Sequence, residues 1–154
     1  MIFFRLGSVT IVLVTLTIIF QSAGIAALIE WIKARFPDGI HRLGHFRSSI
    51  LVVRFTSLLV CLHIFEIVLW ASFYRWKCFP SWEAAFYFSA ADYATVGAGD
   101  LVLKQMWRAM GPVESVTGVL MCGVSASFLF AIVNRLIRLE DPELTDVRAG
   151  ASTG

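Results

Sequence analysis

Residues 92–100 of this sequence read Asp-Tyr-Ala-Thr-Val-Gly-Ala-Gly-Asp, and their types and spacing could do chemistry on a cation. A cation leaving water must exchange its water ligands for other oxygens, and backbone carbonyls serve if successive C=O groups face one side. Glycines at 97 and 99 permit the dihedrals this needs, because they lack the Cβ that restricts other residues. Thr95 adds a hydroxyl oxygen. The carboxylates Asp92 and Asp100 bracket the stretch. Strongly apolar segments precede and follow it. Irregular polar backbone is costly in lipid unless protein surrounds it or it lines water. These residues therefore read as an ion-coordinating loop that the rest of the chain must hold.

Other constellations are weaker. His63 and Glu66 stand at i, i+3 within an apolar run and share a helix face. They read either as a pH-sensitive pair or as a mutually satisfied pair packing one helix against its neighbours. His41 and His45 have the i, i+4 spacing of helical metal ligands, but no third ligand is near. Gly123-Val124-Ser125-Ala126-Ser127 lacks the second glycine and the strand context of a nucleophile elbow, so no catalytic residue is assigned. Cys61 and Cys122 fall inside apolar runs, and Cys78 stands alone in a polar turn. No intrachain disulfide framework is implied, and a bridge between Cys78 residues of neighbouring subunits stays open.

The elements that must position the loop follow from composition. Of the residues, 58% are hydrophobic and 16% charged, with mean hydropathy +0.76, too little polar side chain to cover a water-soluble surface. A net charge of +2 without a basic cluster argues against nucleic-acid binding. Residues 1–30 form an N-terminal transmembrane helix, whose apolar run, about 7–29, is interrupted only by Gln21. A signal peptide ending at Gln21-Ser22-Ala23 is the rival reading, and the run continues past that point. Residues 31–49 form an interfacial connector of alternating basic and apolar residues. A second span follows from 50 to 74, with Arg54 near its start and Trp70, Tyr74 and Trp76 as an interfacial aromatic belt. Ser81 caps a short helix over 82–92, too short to span a bilayer. Residues 101–110 read as a surface loop. Gly111-Pro112 opens the third span, which contains the small residues Gly118, Gly123, Ser125, Ala126 and Ser127. Residues 139–154 read as a disordered tail. The fold expected is an all-α membrane protein with three transmembrane helices. A re-entrant helix and loop, residues 82–100, lies between the second and third spans inside a 50–138 unit.

Phe86-Tyr87-Phe88-Ser89 followed by Ala94-Thr95-Val96-Gly97-Ala98-Gly99-Asp100 resembles the pore helix and filter of the tetrameric potassium-channel superfamily. Trp107-Arg108, Gly111-Pro112, Glu114 and the helix from Gly118 to Arg135 resemble its small bacterial ion-channel proteins. The resemblance covers residues 50–138. It implies a homotetramer in a bacterial inner membrane that conducts potassium or other monovalent cations passively. Thr95, Val96, Gly97, Ala98 and Gly99 would line the filter. Transient K+ would contact carbonyl or hydroxyl oxygens of Thr95, Val96, Gly97 and Ala98. Asp92, Tyr93 and Asp100 would support the filter, and Gly118 or Gly123 would be the hinge of the third span. No cofactor beyond the permeant ion is implied, and no enzymatic activity. Two positions differ from the family pattern. Ala98 stands where a tyrosine or phenylalanine is usual, so Tyr93 or an aromatic of the short helix is expected to refill that volume. Asp92 stands where threonine is usual and is expected to brace the loop through hydrogen bonds.

Basic residues set orientation. Lys33, Arg35, Arg42, Arg47, Arg54, Arg135, Arg138 and Arg148 fall on one side, and Arg5, Arg75, Lys77, Lys104 and Arg108 on the other. This bias puts the connector and C-terminus in the cytoplasm and the N-terminus outside. No span carries arginine at every third position, so a voltage sensor of that kind is absent from the sequence. The alternatives to a potassium channel are a weakly selective cation channel and a non-conducting membrane accessory subunit.

Overall fold

The computed structural model describes residues 2–35 and 45–140. Four helices follow in order: α1 over Ile2–Arg35, α2 over His45–Lys77, α3 over Trp82–Tyr93 and α4 over Met110–Glu140. A 3-10 turn, Gln105–Trp107, precedes α4. Among the described residues there is no strand. Three segments are long and apolar enough to cross a membrane, Leu6–Arg35, Phe46–Lys77 and Gln105–Arg138. Helices apolar on every side need a non-aqueous surrounding. Large aliphatic and aromatic residues such as Ile11, Val60, Val116 and Phe130 lie exposed along all three. This is a multi-pass membrane protein. The expected spans are present and each extends further than hydropathy alone marks. Of the 31–49 connector, 31–35 continue α1 and 45–49 begin α2. His41 lies outside the described residues, as do 141–154 of the expected tail.

Two apolar clusters hold the helices together. At the α3 end, Trp70, Phe73 and Tyr74 of α2 pack with Ala85 and Phe88 of α3, Leu13 of α1, and Ala98, Leu103, Trp107 and Met110. Phe88 meets Tyr74 edge-on at 5.0 Å, and Trp107 meets Phe73 at 5.1 Å. At the opposite end, Leu51 and Phe55 of α2 pack with Ile132 and Leu136 of α4, flanked by Leu28 and Ile32 of α1. The first cluster corrects two expectations. Trp70 and Tyr74 are fully buried rather than interfacial, and only Trp76, at 75% exposure, fits an aromatic belt. Their polar atoms find protein partners, which is what lets an amphipathic ring go inside. The 101–110 segment is likewise not all surface, because Leu103 and Trp107 close the cluster while Lys104 stays exposed.

α1 is fixed by polar contacts that an apolar surrounding makes selective. Gln21 Nε2 donates to Ser125 Oγ at 2.8 Å and to the Met121 carbonyl at 3.3 Å, tying α1 to α4. Trp70 Nε1 donates to Thr17 Oγ1 at 3.0 Å, tying it to α2. In lipid, side-chain amide and hydroxyl groups serve as interhelical ties because an unpaired polar group there is costly. Gln21 is thus an anchor of the first span, and α1 runs unbroken through Gln21-Ser22-Ala23.

Candidate functional site

Ser81 starts α3 as expected. Its backbone is extended, and its Oγ accepts from the Ala84 N–H at 3.2 Å, with Glu83 in the first turn beside the positive helix end. The helix closes in a Schellman motif. Thr95 N–H donates to Asp92 O at 2.9 Å, and Val96 N–H to Ala91 O at 2.9 Å. Gly97 N–H adds a bond to Ala91 O at 3.1 Å. The motif needs a left-handed residue just past the helix, and here that residue is Thr95, with φ 62°. A β-branched side chain at positive φ is a strained choice where glycine is usual. Gly97 also has positive φ, 79°. Leu101 N–H then donates to Ala98 O at 2.6 Å, making a turn over Gly99 and Asp100.

Thr95, Val96, Gly97, Gly99 and Asp100 are exposed, Val96 at 80%. Among the described residues, the carbonyls of Thr95, Val96 and Gly97 accept no hydrogen bond. Ala98 is buried and belongs to the cluster that contains Phe88 and Trp107. Tyr93 is not in that cluster. Its ring faces α2 and α4 instead.

Three contacts anchor the end of α3. The Tyr93 hydroxyl donates to Glu66 Oε2 and lies 2.9 Å from His63 Nδ1, so His63 and Glu66 of α2 meet through Tyr93. His63 Nδ1 and Glu66 Oε2 are themselves 3.5 Å apart, and Glu66 is fully buried. Ser115 Oγ of α4 donates to the Asp92 carbonyl at 2.7 Å. The Asp92 carboxylate sits against Gly111, where any Cβ would overlap it. Burial pushes the Asp92 carboxyl above the usual carboxylate range, and the Ala98 backbone N–H facing it pulls the other way. Asp92 thus ties the helix end to the loop on one side and to α4 on the other.

A third carboxylate lies behind the loop. Glu114 of α4 is fully buried. Tyr74 donates its hydroxyl to Glu114 Oε2 at 2.7 Å, and Ser89 Oγ lies 2.5 Å from Glu114 Oε1. Ser89 Oγ is also 2.9 Å from the Ile67 carbonyl. One constellation therefore joins α2, α3 and α4 behind the loop. Residue spacing does not reveal it, because Ser89 and Tyr74 stand 25 and 40 positions from Glu114. The available signal is a carboxylate inside an apolar span, which must be paired to be tolerated. No group of three His, Cys, Asp or Glu side chains able to hold a metal occurs among the described residues.

A family model described as "Ion channel" matches residues 57–135, just over half of the 154-residue chain. The chain belongs to this ion channel family. An ion channel is a passive conductor, and the family is not an enzyme class. The matched stretch of the channel holds His63, Glu66, Tyr74, Ser89, the 92–100 loop and Glu114, whereas α1 and Arg54 fall outside it. No curated protein and no solved structure gives a significant match.

Proposed function

We propose that this channel conducts monovalent cations, potassium foremost, through a filter built from Thr95, Val96, Gly97, Ala98 and Gly99 of four copies of the chain. The observation that carries the proposal is the loop itself. It is exposed, glycine-punctuated backbone at the C-terminal end of a short helix lodged between two membrane spans, with three successive carbonyls that no donor among the described residues occupies. A helix C-terminus carries partial negative charge and favours a cation nearby. Carbonyl oxygens of the loop, with the Thr95 hydroxyl, would replace the ion's water. One chain supplies one wall, so a closed symmetric assembly is required. α3 then acts as the pore helix. α4 leaves Val116, Leu120, Gly123 and Ser127 uncovered at i, i+4, i+7 and i+11, a stripe suited to lining the vestibule below the filter. The excess of basic residues at the α1–α2 connector supports a cytoplasmic position for that end.

A weakly selective cation pore is the second reading, and Ala98 favours it. A small side chain in the buried cluster leaves the filter diameter to Phe88, Trp107 and their neighbours rather than to a filter aromatic. Reversal potentials of the purified protein in liposomes, under opposed potassium and sodium gradients, separate the readings. Potassium selectivity gives a reversal near the potassium equilibrium potential, and a weakly selective pore gives one near zero. Absence of current from a reconstituted tetramer, or a monomeric state in mild detergent, would overturn the proposal.

A further inference from the structure

A groove of about 580 Å3 lies between α1 and α2, and its α1 wall together with Arg54 falls outside the stretch that matches the family. Trp31 and Arg54 form its mouth, Ala27 and Cys61 its walls, and Phe65 its far end. Gly24 brings α1 against α2 within it, since a Cβ there would stand 2.6 Å from Leu62 Cδ2. The Arg54 guanidinium lies over the Trp31 ring, 5.3 Å from its centroid. Every lining residue other than Arg54 is apolar, aromatic, glycine or cysteine.

The dimensions fit one leaflet. Arg54 and Arg75 are 21 residues apart on α2, about 31 Å at 1.5 Å per residue, which matches the roughly 30 Å hydrocarbon core. Arg54 therefore stands at one hydrocarbon boundary, from which its long side chain can reach the phospholipid phosphates just outside. From Arg54 to Phe65 is eleven residues, about 16 Å, or half of that core. The groove thus runs from headgroup depth to mid-bilayer. The charge at its mouth is one-sided. Lys33, Arg35, Arg47, Arg54, Arg135 and Arg138 cluster at this end of the bundle, against two acidic residues of the described helices there, Glu30, already bound to Lys33 at 2.8 Å, and Glu140 at the end of α4.

We propose that this groove is a binding site for one anionic phospholipid of the leaflet on the connector side. Its phosphate rests on Arg54, and one acyl chain lies between α1 and α2 toward Phe65. An arginine held over an aromatic ring keeps donors for phosphate oxygens while its stem lies along apolar surface. An apolar slot of leaflet length takes the chain. A free phosphate would leave that slot unfilled, so the lipid is the occupant. The proposal does not rest on the ion the pore conducts.

The test uses delipidated full-length protein in mild detergent, titrated with phosphatidylglycerol or phosphatidylcholine of identical chains and read by native mass spectrometry. The tightest site should prefer phosphatidylglycerol by about five-fold, the factor expected for one basic residue at the membrane surface. Arg54→Gln should abolish that preference and Arg54→Lys should restore much of it. Ala27→Trp, which fills the groove, should remove tight binding of both lipids. Should Ala27→Trp fail to assemble, a bulky maleimide on Cys61 in a Cys78→Ser, Cys122→Ser background fills the same space and should have the same effect. Preference surviving Arg54→Gln, tight binding surviving a filled groove, or displacement of the lipid by millimolar inorganic phosphate would overturn the proposal. So would failure of Cys61 to react in the assembled protein, which would mean that a neighbouring copy covers the groove.

Discussion

Gly118 of α4 lies against the backbone carbonyl of Tyr93, so close that a Cβ at 118 would overlap the carbonyl oxygen and come within 3.1 Å of the Tyr93 ring. Gly123, five residues on, has nothing within 4 Å of where its Cβ would stand. The two glycines expected as hinges therefore differ in kind. Close approach of backbone to backbone accounts for Gly118, whereas bending remains the role that packing leaves open for Gly123.

Gly118→Ala is accordingly expected to destabilise the protein by about 1–3 kcal/mol, because rigid backbone cannot yield as a side chain would. Gly123→Ala should be neutral or gain up to about 1 kcal/mol from helix propensity. Thermal unfolding of the two variants in detergent, with size-exclusion to follow assembly, checks the contrast. Equal stability of the two would remove the packing explanation.

Much of this arrangement was legible in the sequence because it rests on local physics. Three apolar runs of spanning length, Ser81 as a cap and glycines spaced in a polar loop each signal their own structure. The polar partners were not legible, because a carboxylate in a span announces only that it is paired, not with what. Gln21 read as an interruption and is the tie between α1 and α4. His63 and Glu66 were visible as a pair by helical spacing, yet the residue that joins them comes from 27 to 30 positions away. Trp70 and Tyr74 misled because aromatic residues near a span's end resemble an interfacial belt unless their tertiary hydrogen-bond partners are known.

Tyr93→Phe removes the hydroxyl shared by Glu66 and His63 and leaves Glu66 Oε2 without its donor in a fully buried position. A loss of about 1–3 kcal/mol follows from stranding a buried acceptor. Repeating Tyr93→Phe in a Glu66→Leu background should cost less, since no buried acceptor is then left without its donor. A double-mutant cycle by thermal unfolding measures the coupling, and additive single-site effects would mean that the contact contributes nothing.

Glu114 separates shape from hydrogen bonding. Ser89 has one hydroxyl hydrogen and two neighbouring acceptors, the Ile67 carbonyl and Glu114 Oε1. Glu114→Gln offers an N–H toward Ser89 Oγ and keeps an oxygen for Tyr74, so it should fold and assemble as the parent does. Glu114→Leu matches the volume but leaves the buried Tyr74 hydroxyl unpaired, at about 1–3 kcal/mol. Assembly yield and unfolding temperature should therefore rank parent and Glu114→Gln together, above Glu114→Leu. The reverse order would show that apolar filling alone is what this position needs.

Cys78 lies just past the end of α2, outside the spans, where burial pushes its thiol above the ordinary range and the Lys104 ammonium pulls it back. Only the thiolate is alkylated. Reaction with iodoacetamide at pH 7 should therefore be slower than for an unstructured cysteine and should climb as pH rises past the ordinary thiol range. Lys104→Gln removes the lowering influence and should slow it further at every pH below full ionisation. Mass-spectrometric rates in a Cys61→Ser, Cys122→Ser background read this directly, and a faster rate in Lys104→Gln would contradict the assignment.

Thr95 sets stability against function. Its left-handed backbone, φ 62°, closes the end of α3 at a position that glycine fills without a Cβ penalty. Thr95→Gly should therefore relieve strain of about 1–2 kcal/mol, offset in part by the greater backbone freedom of glycine in the unfolded chain. The same change deletes the hydroxyl oxygen proposed to coordinate the permeant ion. The expected outcome is a protein at least as stable as the parent, with a reversal potential shifted toward zero under a potassium/sodium gradient. Thr95→Ser is the control, since it keeps the hydroxyl and drops only the branch, and it should retain the parental reversal potential. A destabilised Thr95→Gly would show that the threonine methyl or hydroxyl contributes more to folding than its backbone strain removes. An unshifted reversal potential would take the hydroxyl out of the ion's path.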